Sequence, residues 1–230
     1  MKKILSLLTL GTAFACAYSS PFSGLHLGVQ GGMGIMGGSA STFENTNNNT
    51  ASGDFTSGKG GIFGIEGLAG YVFSNNLYTG FGLAASLSNV NARTNSLDIG
   101  HRVARVSTET KIKLKNLLQA YARVGVVVGQ FLPFLELGYT SGAFKADSSI
   151  PQGDTFGSFN KRLNGMSFGF GVATALSDKL VAEAKITHTT FKKKTFDLKD
   201  NVTGAVEGNT TLKPKLTTFM VSLRYKIATF

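Results

Sequence analysis

Apolar residues recur at every second position along most of this chain, in runs separated by polar stretches. In residues 22–35, Leu25, Leu27 and Val29 share one parity, and His26 and Gln30 take the other. Residues 62–73 set Phe63, Ile65, Ala69, Tyr71 and Phe73 against Glu66. Residues 77–88 set Leu77, Phe81, Leu83, Ala85 and Leu87 against Gly80, Gly82, Ala84 and Ser86. In residues 117–129, Leu118 to Val128 oppose Gln119, Tyr121 and Arg123. The second half repeats the pattern in residues 133–144 (Leu135, Leu137, Tyr139 against Glu136), 166–176 (Met166, Phe168, Phe170 against Ser167) and 180–190 (Ala182, Ala184, Ile186 against Glu183 and Lys185). Near the end, Phe219, Val221, Leu223, Tyr225 and Ile227 oppose Ser222, Arg224 and Lys226. Period-2 alternation predicts strands with one apolar and one polar or small face. Eight such segments are present. Each is about as long as a tilted membrane strand of ~9–11 residues, or slightly longer.

The connections alternate between short and long. "SNN", "QFLP" and "SDK" join the second to third, fourth to fifth and sixth to seventh segments as hairpin turns. The other links, at 37–59, 89–110, 145–165 and 191–216, are long and rich in Asn, Thr, Ser, Gly and Asp. Loops this long are out of place in a compact soluble domain. They fit an all-β, eight-stranded antiparallel up-and-down transmembrane β-barrel, with turns on the periplasmic side and loops outside. A soluble eight-stranded barrel would point its apolar face inward and its charges outward. Here the second face is mainly Gly, Ala and Ser with scattered charges, which suits a crowded lumen.

Composition agrees with this. The chain is 42% hydrophobic but only 16% charged, with 29 glycines in 230 residues, whereas soluble domains carry roughly 25% charged residues. No stretch approaches the ~18 apolar residues of a membrane helix. The first segment differs in kind. Lys2 and Lys3, the apolar run "ILSLLTLGTAFA" and Ala15-Cys16-Ala17 read as a secretory signal peptide over residues 1–17, with the barrel domain over 18–230. Cleavage after Ala17 removes the only cysteine; lipidation of Cys16 is the alternative, disfavoured by the bulky Phe14. Without Lys2 and Lys3 the formal charge falls from +10 to +8.

"AYARVGVVVG", "PFLELGYTSGAF" and the terminal "LRYKIATF" resemble the eight-stranded bacterial outer-membrane family of OmpA-like and opacity-protein-like barrels. The resemblance covers 18–230 and implies outer-membrane localisation, assembly by the barrel-assembly machinery and a monomeric surface protein, antigen or adhesin. It also implies that a C-terminal aromatic signal, here Tyr225 and Phe230, is read during assembly. Phe230 has the parity of Arg224 and Lys226 rather than of Tyr225, so a bulge near Ala228 is expected.

The candidate chemistry lies in charges rather than in a catalytic motif. Gly32 to Gly37 match GxGxxG, but the polar run that follows has no amphipathic helix to hold a pyrophosphate. His188 and Thr190 share the spacing of a His-x-Ser pair without a carboxylate partner, and His26 and His101 lack ligand spacing. No catalysis, cofactor or metal is therefore expected. The inward charges Glu66, Glu136, Glu183, Arg123, Lys185, Arg224 and Lys226 predict a plug of ion pairs, because unpaired charges in a narrow lumen are costly. Counting from the turns puts Glu66 level with Arg123, and Glu136 and Glu183 near Arg224 and Lys226. The last loop is basic, with Lys192, Lys193 and Lys194 as candidate partner-binding residues. Outer-membrane lipids, lipopolysaccharide phosphates and acidic host glycans are the expected partners. Nucleic acid is not, since aromatic interleaving is lacking. The expected function is a structural, loop-mediated surface role, with a small or gated channel for hydrophobic or small polar solutes as the alternative.

Overall fold

The computed structural model describes residues 20–44, 49–94, 109–149, 155–200 and 206–229. The segment 1–17 and Phe230 lie outside the described residues. The strands are β1 (Gly24–Glu44), β2 (Asn49–Val72), β3 (Leu77–Ser88), β4 (Asn91–Thr94), β5 (Glu109–Val126), β6 (Phe131–Ser149), β7 (Thr155–Ala175), β8 (Leu180–Phe191), β9 (Lys194–Asp200) and β10 (Val206–Ala228). All the pairings among them are antiparallel. β3 and β4 are successive pieces of one stave between β2 and β5, and β8 and β9 of another between β7 and β10. Ten strands therefore make eight staves. β1 pairs with β2 on one side and β10 on the other, which closes the barrel and leaves no sheet edge.

The alternation read from the sequence sets the two walls. Phe63 and Leu87 stand 68% and 72% exposed, while Glu66 and Arg123 are 3% and 1% exposed. The apolar parity faces outward to lipid and the polar parity faces the lumen. The short turns carry the backbone conformations that tight reversals need. Asn76 has φ 64° and Gly129 φ 60°, and Phe73 N–H donates to the Leu77 carbonyl at 2.8 Å across the first turn.

Strand length departs from expectation. β2 runs 24 residues and β10 runs 23, so much of the stretches 37–59, 145–165 and 191–216 is barrel wall rather than loop, as are residues 91–94 and 109–110. The physical reason is an inversion of the pattern. In the lower half of β10, Phe219, Val221 and Leu223 point out; in its upper half, Leu212 and Leu216 point in and Lys213 and Lys215 point out. Above the membrane the barrel meets water, so its apolar side chains turn to the lumen.

The lumen is filled in layers. At the periplasmic end Phe22, Val72, Tyr78, Leu132, Phe134 and Val181 form an apolar layer. Phe22 belongs to a short entry segment that folds into the barrel mouth, where Ser23 Oγ accepts from Val72 N–H at 3.1 Å. At the outer end a larger apolar cluster, including Met36, Ile62, Val90, Leu114, Phe144, Phe191 and Leu216, fills the cross-section. The glycines of the GxGxxG match lie inside β1, and a Cβ on Gly34 would come within 2.8 Å of Ile62 and 2.9 Å of Val90. Gly32 and Gly34 serve packing, while a Cβ on Gly37 would meet open space.

Candidate functional site

Between the apolar layers sit the buried charges. β5 and β6 place Arg123 directly opposite Glu136 in register, and β8 contributes Glu183 and Lys185 from the facing wall. Arg123 Nη2 lies 2.7 Å from Glu136 Oε2, and its Nη1 lies 2.6 Å from Glu183 Oε2. Arg224 Nη2 reaches the same Glu183 oxygen at 2.6 Å. Lys185 Nζ sits at 3.4, 3.6 and 3.7 Å from Glu66, Glu136 and Glu183. Three acids and three bases meet here, so the cluster carries no net formal charge.

Neutral and aromatic groups complete the layer. Tyr121 Oη donates to Glu66 Oε2 at 3.2 Å, and the Gln119 amide donates to Glu136 Oε1 at 3.1 Å and to Ser167 Oγ at 3.2 Å. The Arg123 guanidinium lies 3.7 Å from the centroid of the Phe134 ring, a cation–π contact that strengthens when water is excluded. Glycines admit this crowding. A Cβ on Gly82 would collide with the Tyr121 ring. One on Gly28 would come within 2.6 Å of the Leu223 carbonyl, between the in-register partners Glu66 and Arg224.

The membership of the plug matches the inward charges with one exception, and its pairing differs in part: Glu183 meets Arg224 as expected, but Glu66 and Arg123 do not pair. Glu66 meets Lys185, and its Oε1 lies 3.8 Å from Arg224 Nε; Arg123 takes Glu136 and Glu183 instead. Counting residues from the turns ignores strand tilt and stagger, so equal counts do not mean equal heights across a barrel. Lys226 stands apart from the cluster: its Nζ donates to the Ser20 carbonyl at 2.8 Å, tying the entry segment to β10. His26 Nε2 donates to the Pro21 carbonyl at 3.0 Å from the other side.

Above the charges, a small chamber of about 30 Å³ is lined by Gln30, Ser86, Gln119, Thr140, Thr187 and Thr218, with Lys185 at its floor and Leu216 and Met220 at its roof. That is room for only one or two waters. Gln30 Nε2 donates to Ser86 Oγ across it at 3.0 Å. Sequence reasoning missed both apolar layers: Val72, Tyr78, Phe134 and Val181 stand on the lumen parity near the turn ends of their segments, Ile62 and Phe144 on it at the outer ends, and Leu114 and Leu216 lie beyond the segments whose alternation was clear. For the outer layer, the shift of apolar residues to the lumen parity at the membrane boundary was the signal that could have found it.

The remaining candidates are on the outside. Lys192, Lys193 and Lys194 are exposed where β8 gives way to β9. Tyr225 faces outward, and the β1–β10 register shifts where Leu25 pairs Ala228 and His26 pairs Lys226, a bulge at Ile227. His188 shares a hydrogen bond with Thr217 Oγ1 at 3.0 Å on the outer wall.

Among solved structures, the outer membrane protein OprG from Pseudomonas aeruginosa is similar with a TM-score of 0.57 at 11% sequence identity, covering 90% of this chain and 99% of that one. Neisserial surface protein A (NspA) aligns with a TM-score of 0.41 at 13% identity, covering 89% and 98%. Ail, the attachment invasion locus protein of Yersinia pestis, aligns at 0.34 and 14%, covering 88% and 98%. At 11% identity the likeness to OprG speaks for fold alone. No curated protein matches the chain. The family model described as outer membrane protein beta-barrel domain matches residues 4–226, and with the closed barrel, its apolar outer wall and its polar lumen, the chain belongs to that family.

Proposed function

We propose that this protein is an outer-membrane surface barrel whose work is done on its outside: it stabilises the membrane and presents its outer end to partners, without catalysis and without an open pore. The observation that carries this reading is the filled lumen. A neutral cluster of six buried charged side chains is sandwiched between two apolar layers, and an ion crossing that path would have to shed its hydration shell. The interaction role falls to the outer end, where Lys192, Lys193 and Lys194 present positive charge to acidic surfaces.

Two measurements test this. The refolded full chain in a planar bilayer is expected to give no conductance steps while remaining heat-modifiable on gels; stable steps would put transport in its place. Removing charge with Lys192→Gln, Lys193→Gln and Lys194→Gln together should weaken retention on a sulfated polysaccharide column and shift elution to lower salt. Unchanged elution would take these residues out of the partner-binding role.

A further inference from the structure

On every stave except that of β1, the outward positions just above the apolar wall carry Lys or Arg: Lys59, Arg93, Lys113, Lys145, Arg162, Lys192 and Lys215. The charges are closest on the β2–β6 side. Lys59 pairs Asn91, Asn91 pairs Lys113 and Lys113 pairs Lys145 in register. With strands about 4.8 Å apart, these three lysines span roughly 15 Å on one face. Asp147 opposes Lys111 one step farther from the membrane, and exposed Lys115, at the β5 bulge, adds a further positive charge between this row and the outward Leu118.

Below this row the outer wall is indented. A groove of about 660 Å³ has a floor of Gly67, Ala85 and Ala120 and walls that include Leu27, Leu83 and Tyr139. The lysine row is four residues up β6 from Ser141 and six along β2 from Ile65, which is roughly 10–15 Å of height on tilted strands. Exposed Phe63 and Leu87 continue the apolar surface between groove and row.

A groove for hydrocarbon with a basic edge a headgroup's distance above it matches an anionic amphiphile. We infer that this face holds one phosphorylated, multiply acylated lipid of the outer leaflet, its phosphates on Lys59 and Lys113 beside Lys145 and one acyl chain in the groove. A soluble acidic glycan would use the lysines and leave the groove idle. The inference deepens the surface reading and rests on it for placing this end of the barrel outside.

Native mass spectrometry of the refolded full chain tests it, with bisphosphorylated lipid A and its dephosphorylated form as probes. One lipid A per barrel should survive detergent exchange, and removal of the phosphates should weaken it. Lys59→Gln with Lys113→Gln should cost about 30-fold in affinity, taking each lysine at a phosphate surface at its usual strength. Ala85→Phe, which fills the groove from the lipid side, should weaken binding while the barrel stays heat-modifiable. Lys213→Gln with Lys215→Gln, exposed on β10 at the opposite wall, should leave it unchanged. Equal losses from the opposite-wall pair would overturn the site in favour of diffuse attraction. Indifference to Ala85→Phe together with displacement by heparin would overturn it in favour of a soluble polyanion. Bilayer conductance reads the closed lumen separately, so the two proposals fail independently.

Discussion

Arg123 gives one guanidinium nitrogen to Glu183 at 2.6 Å and another to Glu136 at 2.7 Å, with the Phe134 ring against its face. A lysine has no such planar fork and would lose one of these two short contacts. The two carboxylates are buried, so truncating Arg123 to Ala leaves the cluster one positive charge short, with Lys185 and Arg224 against three acids, and should cost about 3–5 kcal/mol. A double-mutant cycle of Arg123→Ala with Glu183→Ala, read by urea unfolding from vesicles, should give a coupling of about 1 kcal/mol or more. The cycle of Arg123→Ala with Glu66→Ala should give less, because Glu66 is held by Lys185, Arg224 and Tyr121. Equal couplings would mean the cluster rearranges as a unit. Parity alone placed six of these side chains in the lumen. Their partners were not legible, since a partner across the lumen depends on tilt, stagger and glycine gaps such as Gly28. Lys226 shows the same limit, because its acceptor is a backbone carbonyl that no charge count reveals.

β5 carries the inversion within one strand: Ile112, Leu114 and Leu117 face the lumen, and then Leu118 and Val124 face lipid. A bulge separates the zones, where Leu114 pairs Phe144 but Asn116 pairs Ala143, and an extra residue in a strand changes which parity faces inward. The neighbouring stave breaks near the same level, with Val90 buried between β3 and β4 and Leu114 N–H donating to its carbonyl at 2.9 Å. Lys113, Lys213 and Lys215 therefore sit in paired wall rather than in loops. Trypsin acting on the folded protein in vesicles should spare all three, while urea-unfolded chain is cut at them. Rapid cleavage at Lys113 or Lys215 of the folded barrel would show that the wall ends lower. Val90→Asp should remove that protection from the outer zone, because it places a charge among Met36, Ile62 and Leu114. The membrane half of each strand was legible because lipid keeps its outward face apolar. The outer half was not, since there the apolar residues move to the lumen side, on β5 at a bulge and on β10 without one, and the pattern reads as the end of a strand.

For the whole barrel, closure has three parts in series: the Phe22 layer, the charge cluster and the outer apolar cluster. Resistances in series are set by the tightest, so opening one layer leaves the path shut. Phe22→Ala removes the largest side chain of the entry segment and should lower stability by up to about 3 kcal/mol. It should still give no conductance, because Met36, Leu114, Phe144 and Leu216 fill the far end. Arg123→Gln with Glu183→Gln, which keeps the layer neutral, should be silent for the same reason. The combination of both with Leu216→Ala, checked for folding by heat modifiability, is the variant in which steps are expected. Conductance from Phe22→Ala alone would mean that the outer cluster does not seal and that the periplasmic end carries the closure. The order in which the layers must be removed thus separates a barrel filled for stability from one held shut by a single gate. A gate needs one layer that opens alone, whereas a filled core has none.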